Sequence, residues 1–232
     1  MPPVTPLALS LAALAAFAPV ASGQNQFAAV SPAIQTVAEA PRATAAVGLY
    51  ATDGGMVEVR DARGGIEILA HGAEIAATLA PLAASDAVLD ARTETLLDAW
   101  TLDDLGPLVA ATRPDRRDQA AASFAAYRAA LVRGRGDAVA GRVIGTFDQT
   151  DGRAVTLVQM LFARGAEWAS FVWDEDGHLV TVTRGLSPVV VGTARPTGAD
   201  AYVANGQPLV FEREADGRVH ALHVGNHLSA VR

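Results

Sequence analysis

Three histidines stand at a His-x-x-His-x-x-x-His spacing, His220, His223 and His227. On one continuous helix the three imidazoles would share a face and could ligate zinc. Val219, Leu222 and Val224 after an Asp216-Gly217 turn predict a strand instead, which would place His220 and His223 on opposite faces. No metal is therefore implied, and these three are the candidate ligands if one binds. Asp174-Glu175-Asp176-Gly177 has the look of a calcium loop, but the remaining spaced oxygen ligands are missing and strand patterns flank it, so a hairpin turn is predicted. Proton abstraction beside a carbonyl needs a buried carboxylate and a hydrogen-bond donor for the developing oxyanion. Glu167, in the inward register of its strand, and Tyr127 form the acid-base candidate, although a carboxylate so close to the Arg164-Gly165 turn usually points to water.

What the chain lacks excludes more chemistry than these groups support. All 18 basic residues are arginine, and there is no cysteine. Without lysine there is no phosphate-binding P-loop, no Schiff base and no Ser-x-x-Lys acylation centre. Without cysteine there is no thiol nucleophile, disulfide or thiolate zinc site. Gly185-Leu186-Ser187-Pro188 is not a nucleophile elbow, and Gly134-Arg135-Gly136 follows a helical pattern and lacks the third glycine of a dinucleotide loop. A net charge of −7 and the absence of a sustained basic stripe argue against nucleic acid as a partner. No cofactor is implied.

The elements that must position these groups follow an uncharged apolar run over residues 7–21 and the small residues Ala21, Ser22 and Gly23. That pattern predicts a signal peptide over 1–23 and a periplasmic or secreted protein, even though the usual basic start is missing. No membrane span is expected after cleavage, and 24–46, with Pro32 and Pro41, reads as a flexible lead. Short strand patterns follow around Tyr50, Val57 and Ile68, then an ambiguous stretch over 74–84. Ser85-Asp86 caps a helix carrying Leu89, Leu96 and Trp100. A short second helix runs from Thr101 to Val109, with Gly106-Pro107 as a break or kink, and a third starts at Pro114 with Ala120, Phe124, Tyr127 and Leu131 on one stripe. From Val139 the period becomes 2, and four strands form a meander: Val139–Phe147, Ala154–Ala163, Ala166–Trp173 and His178–Arg184. Strand pieces return after Gly185, through Val189–Val191 and a hairpin around Asp216-Gly217. The organisation predicted is a small β unit split into 47–85 and 185–232, with an α+β block, 86–184, inserted; three units in series also fit.

Three helices followed by a four-stranded meander resemble the cone of nuclear transport factor 2-like proteins, over residues 86–184. This resemblance implies an α+β fold and a pocket between the helices and the sheet. Trp100, Phe124, Tyr127, Leu161, Phe171 and Trp173 could line it, although residues at these periods also fill any core. The flanking pieces, with Gly65-Ile66-Glu67-Ile68 and Asp216-Gly217-Arg218-Val219-His220, are similar to the small β domain found C-terminal to the catalytic domain in secreted serine hydrolases of the β-lactamase-like class. Phe124-Ala125-Ala126-Tyr127-Arg128 and Phe171-Val172-Trp173 look like segments from the same regions. The acylating Ser-x-x-Lys of such enzymes is absent, so the resemblance implies an exported, non-catalytic binding or accessory module. A small-molecule carrier or acid-base enzyme using the aromatic cavity is the alternative. The third reading is a protein-interaction or homodimerisation module, using the sheet face that carries Trp168. The partners implied are a small apolar ligand or another protein.

Overall fold

The structure is a computed structural model describing residues 45–84, 86–226 and 228–232. The signal peptide expected over 1–23, most of the lead, and His227 lie outside the described residues. Twelve strands run in chain order: β1 Gly48–Thr52, β2 Gly55–Ala62, β3 Gly65–His71, β4 Ala138–Asp148, β5 Ala154–Phe162, β6 Gly165–Trp173, β7 Leu179–Arg184, β8 Val189–Pro196, β9 Ala201–Ala204, β10 Gln207–Arg213, β11 Val219–Val224 and β12 Leu228–Val231. The α-helices are α1 Ala73–Leu79, α2 Ala87–Thr101, α3 Gly106–Ala111 and α4 Arg117–Arg135. None of them is long and apolar enough to cross a membrane.

Alternation decides the first layer. Val57 and Val59 on β2, Ile66 and Ile68 on β3, Leu209 and Phe211 on β10, and Leu222 and Val224 on β11 all turn inward and are buried. Their strands are ordered β3-β2-β1-β12-β11-β10-β9-β8, and β8 pairs back onto β3 through Ile66–Ala194 and Ile68–Gly192. This closes an eight-stranded antiparallel barrel. Side chains fill a barrel of this size: Phe211 packs against Tyr50 at 5.9 Å and edge-on to Tyr202 at 5.6 Å between ring centroids. The Tyr50 hydroxyl donates to the Ala46 carbonyl at 2.6 Å.

From the barrel, β4 extends the sheet through its single pair with β8, Asp148–Val190, and carries the meander β4-β5-β6-β7. Helices α2 to α4 cover one face, where Trp100, Leu108, Phe124 and Leu131 pack on Val158, Met160, Phe171 and Trp173. Phe147, Val155, Leu157 and Val172, on other parts of the meander, belong instead to the barrel's core. A buried polar chain fixes α2 to the sheet. The Trp173 indole N–H donates to Thr156 Oγ1 at 2.9 Å, Thr156 and Thr146 share a hydrogen bond at 2.7 Å, and Thr146 donates to Asp90 at 2.7 Å.

The α+β, nuclear transport factor 2-like cone is therefore corrected. The described residues are mostly β, at 45 % strand, and a closed barrel with additional strands and four α-helices takes the place of a helix-on-sheet cone. Element order within 86–184 could not reveal the closure, because the pairing that makes it joins β3 to β8 across more than a hundred intervening residues. The second helix expected from Thr101 is corrected as well: α2 runs on to Thr101, residues 102–105 are not helical, and Gly106-Pro107 starts α3, where proline's missing N–H costs nothing and the Asp104 carboxylate accepts from the Gly106 N–H at 2.9 Å.

Candidate functional site

The β6–β7 turn is built by one carboxylate. Asp174 Oδ1 accepts from the backbone N–H of Asp176 at 3.1 Å and of His178 at 2.8 Å, while Gly177 takes the left-handed conformation, φ 74°, that closes the turn. Its second oxygen, Oδ2, accepts from Arg113 Nε at 2.6 Å, and Arg113 Nη2 donates to Asp176 at 3.0 Å. Arg113 stands just ahead of α4, so this clamp holds the start of the helix against the turn. Burial pushes the Asp174 carboxyl up, but the His178 N–H and the Arg113 guanidinium outweigh it and hold the group below the usual carboxylate range. Behind the turn, Arg92 donates to the Gly177 carbonyl and lies over the Trp173 ring at 5.1 Å.

Between this clamp, α4 and β7 lies a cleft of about 580 Å³. Ala120 and the buried Phe124 and Leu179 form its apolar part; Arg113, Arg116, Gln119, Ser123 and Thr181 form its polar rim. Among the described residues, Arg116 reaches Asp115 at 3.7 Å and Gln119 at 3.5 Å, both on its own element or next to it. The volume falls in the range of small-molecule sites, roughly 300–1,000 Å³, and the mix of an apolar floor with a few polar groups is their usual composition. One ligand atom each from Asp174, Asp176 and His178 lie within 4.8 Å of one another, a spacing suited to a cation, but Arg113 already supplies the positive charge there.

Of the six residues expected to line a cavity, Phe124 alone borders this cleft. Trp100, Phe171 and Trp173 are fully buried in the helix-side core, and Leu161 is 45 % exposed at the far end of the meander. Tyr127 packs edge-on against Trp100 at 5.7 Å, with its hydroxyl and the Trp100 indole N–H lacking hydrogen-bond partners among the described residues. Burial, aided by the charge of Glu167, pushes the Tyr127 hydroxyl up to about 12, so it stays protonated at neutral pH.

Glu167 is only 8 % exposed. Arg135 binds it through Nε at 2.9 Å and Nη2 at 2.8 Å, and Arg184 through Nε at 3.0 Å and Nη2 at 2.8 Å. Burial alone would raise its carboxyl, yet the two guanidiniums prevail and lower it. A carboxylate clamped in this way is an ion-pair centre and a poor proton acceptor.

His220 and His223 share a side of β11, because a register shift between Glu212 and Arg213 leaves His220 as an extra residue in the strand. His223 Nε2 lies 3.1 Å and His220 Nε2 3.7 Å from Glu212 Oε2. The opposite-face expectation is corrected by that bulge.

A second open cleft, about 570 Å³, lies at the barrel end between Arg213, Arg218, His220 and Arg232. Asp200 neutralises Arg213, and Glu214 and Asp216 neutralise Arg218, so it offers little net charge to a ligand. Sequence reasoning missed the Arg113–Asp174 contact. Its signal was present, however: Arg113, Arg116 and Arg117 cluster at the start of α4 and oppose its dipole, and an unfavourable charge of this kind calls for an acidic partner elsewhere. Set against protein-family models, curated proteins and solved structures, the chain matches none.

Proposed function

We propose that the protein is an exported, non-catalytic binding module that holds a small amphipathic molecule in the cleft between α4 and β7. The carrying observation is the cleft itself, with Phe124 and Leu179 beneath a rim fixed by the Arg113–Asp174–Asp176 clamp. The floor suits an apolar body, and Arg116, Gln119 and Ser123 on the rim suit a polar end. Retention rather than turnover is favoured by the state of the acidic groups: Asp174 has both oxygens engaged, and Glu167 is tied to two arginines. The accessory role implied by the resemblance to hydrolase C-terminal regions belongs to the same proposal.

The test is a titration with hexanoate, octanoate and decanoate followed by amide resonances. Ala120, Ser123, Phe124 and Thr181 are expected to shift together, with affinity rising along the series by the burial of added methylenes, about 0.8 kcal/mol each at most. Ser123→Trp, a change on an exposed helical position that fills the cleft, should abolish the shifts. Amides around the cleft that stay still at millimolar ligand, or that respond unchanged in Ser123→Trp, would refute the reading.

A further inference from the structure

The sheet ends at β7, which pairs with β6 alone among the described residues. The face of the meander that carries Trp168 is no comparable opening, because Trp168 packs against the barrel's core. Backbone groups along an antiparallel strand alternate in direction. The Gly185 N–H donates to the Trp168 carbonyl at 2.8 Å, and Thr183 and Thr181 pair with Ser170 and Val172 in the same phase. The N–H and C=O groups of Val182 and Arg184 therefore point away from β6. Beside this edge lies the cleft over Phe124, whose β7 wall is Leu179, Val180 and Thr181. Val182 belongs to the helix-side core, so a strand added to β7 turns every second side chain to that side, and the one nearest the β6–β7 turn meets the cleft.

A second copy of the chain fits this edge poorly. Val180 is the extra residue of a bulge, which confines regular pairing to 181–185. Two antiparallel β7 strands that use both Val182 and Arg184 must centre on Thr183, and their two Arg184 side chains then become diagonal neighbours of like charge. The ends of β7 describe a different occupant. At its start, Asp174, Glu175 and Asp176 stand against Arg113 and Arg92, one acid in excess, while Asp115, Arg116, Arg117 and Asp118 next to them cancel. At its end, Arg184 and Arg135 hold Glu167, one base in excess. A strand running antiparallel to β7 is favoured by an acidic residue at its own start and a basic one at its own end.

We propose that β7 takes up an extended peptide as an added antiparallel strand, with an apolar side chain in the cleft, an acidic residue near Arg184 and a basic one near the β6–β7 turn. This rests on the cleft reading above and adds the class of molecule that fills it. The main-chain hydrogen bonds come from Val182 and Arg184, and the cleft selects the side chain.

The probe is acetyl-Glu-Val-Thr-Val-Thr-Phe-Lys-amide, titrated into the full chain and followed by amide hydrogen exchange. Binding should slow exchange at the Val182 and Arg184 N–H groups. Methylating the backbone nitrogens of the two valines removes two hydrogen bonds to β7 and should weaken binding at least about fivefold. Methylating those of the two threonines, which face away from β7, should leave it unchanged. No binding at millimolar peptide, or equal affinity of the two methylated forms, overturns the proposal. Octanoate shifts at Ala120 and Ser123 without peptide binding overturn it alone and leave the cleft reading standing. Protection of Val182 and Arg184 that grows with protein concentration in the absence of peptide overturns it too and gives the edge to a second copy.

Discussion

Glu167 shows how a residue that looks reactive is turned to structure. It is almost fully enclosed, and an isolated carboxylate there would be raised toward neutrality; two arginines reverse that direction. Because the folded-state value is lowered, the unfolded chain takes up a proton first as pH falls. The stabilisation is complete above the ordinary glutamate value, about 4.3, and is lost as pH drops through it toward the folded-state value. Glu167→Gln should therefore cost about 1–3 kcal/mol at neutral pH, and its stability should fall less between about pH 6 and pH 3 than that of the unaltered chain. Urea midpoints at the two pH values check this, and parallel losses in both proteins would show that the clamp contributes nothing.

At the scale of elements, the barrel's closure depends on backbone approach. A Cβ on Gly65 would lie 2.0 Å from the Ala194 carbonyl oxygen, across the β3–β8 pair. Gly65→Ala must push the two strands apart and should cost about 1–3 kcal/mol or more. Neighbouring Gly64 has open space around it and a φ of 85°, a conformation asparagine tolerates, so Gly64→Asn should stay within about 1 kcal/mol. Thermal melts of the pair decide it: equal midpoints would mean that the closure is loose at this point. What the sequence made legible follows the same division between local and distant. Ala120, Phe124, Tyr127 and Leu131 repeat within one element, and α4 spans them; Asp86 caps α2 by accepting from Val88 and Leu89 N–H groups at 3.1 and 3.0 Å. Strands β9 and β12 have four residues each, too few to show a period, and they sit where turn residues dominate. The cleft was equally hidden, since Arg113 and Asp174 are 61 residues apart and only the adverse helix-end charge hinted at their meeting.

For the whole molecule, the decisive fact is that one core serves both the barrel and part of the meander. Ile68, Val189 and Leu222 from the barrel share it with Phe147, Val155, Leu157 and Val172. The meander cannot lose the barrel without exposing these side chains, so the two should unfold in a single transition. All three tryptophans, Trp100, Trp168 and Trp173, lie in the helix-and-meander segment; Trp100 and Trp173 sit in the helix-side core, and Trp168 packs against the core shared with the barrel. The denaturation midpoint of their fluorescence should coincide with that of far-UV circular dichroism, which sees every strand. Deleting 228–232 removes β12 from between β1 and β11, takes out the fully buried Ala230, and breaks the ring. The tryptophan midpoint should then fall with the dichroism midpoint, although no tryptophan lies near the deleted strand in sequence. A tryptophan midpoint that holds while dichroism is lost would mean that the meander and helices stand without the barrel, and the shared core would carry no coupling. Refolding of the intact chain should be slow for its size, on the order of milliseconds to seconds, because the Ala51–Val231 pair must close nearly the whole described chain before the ring is complete.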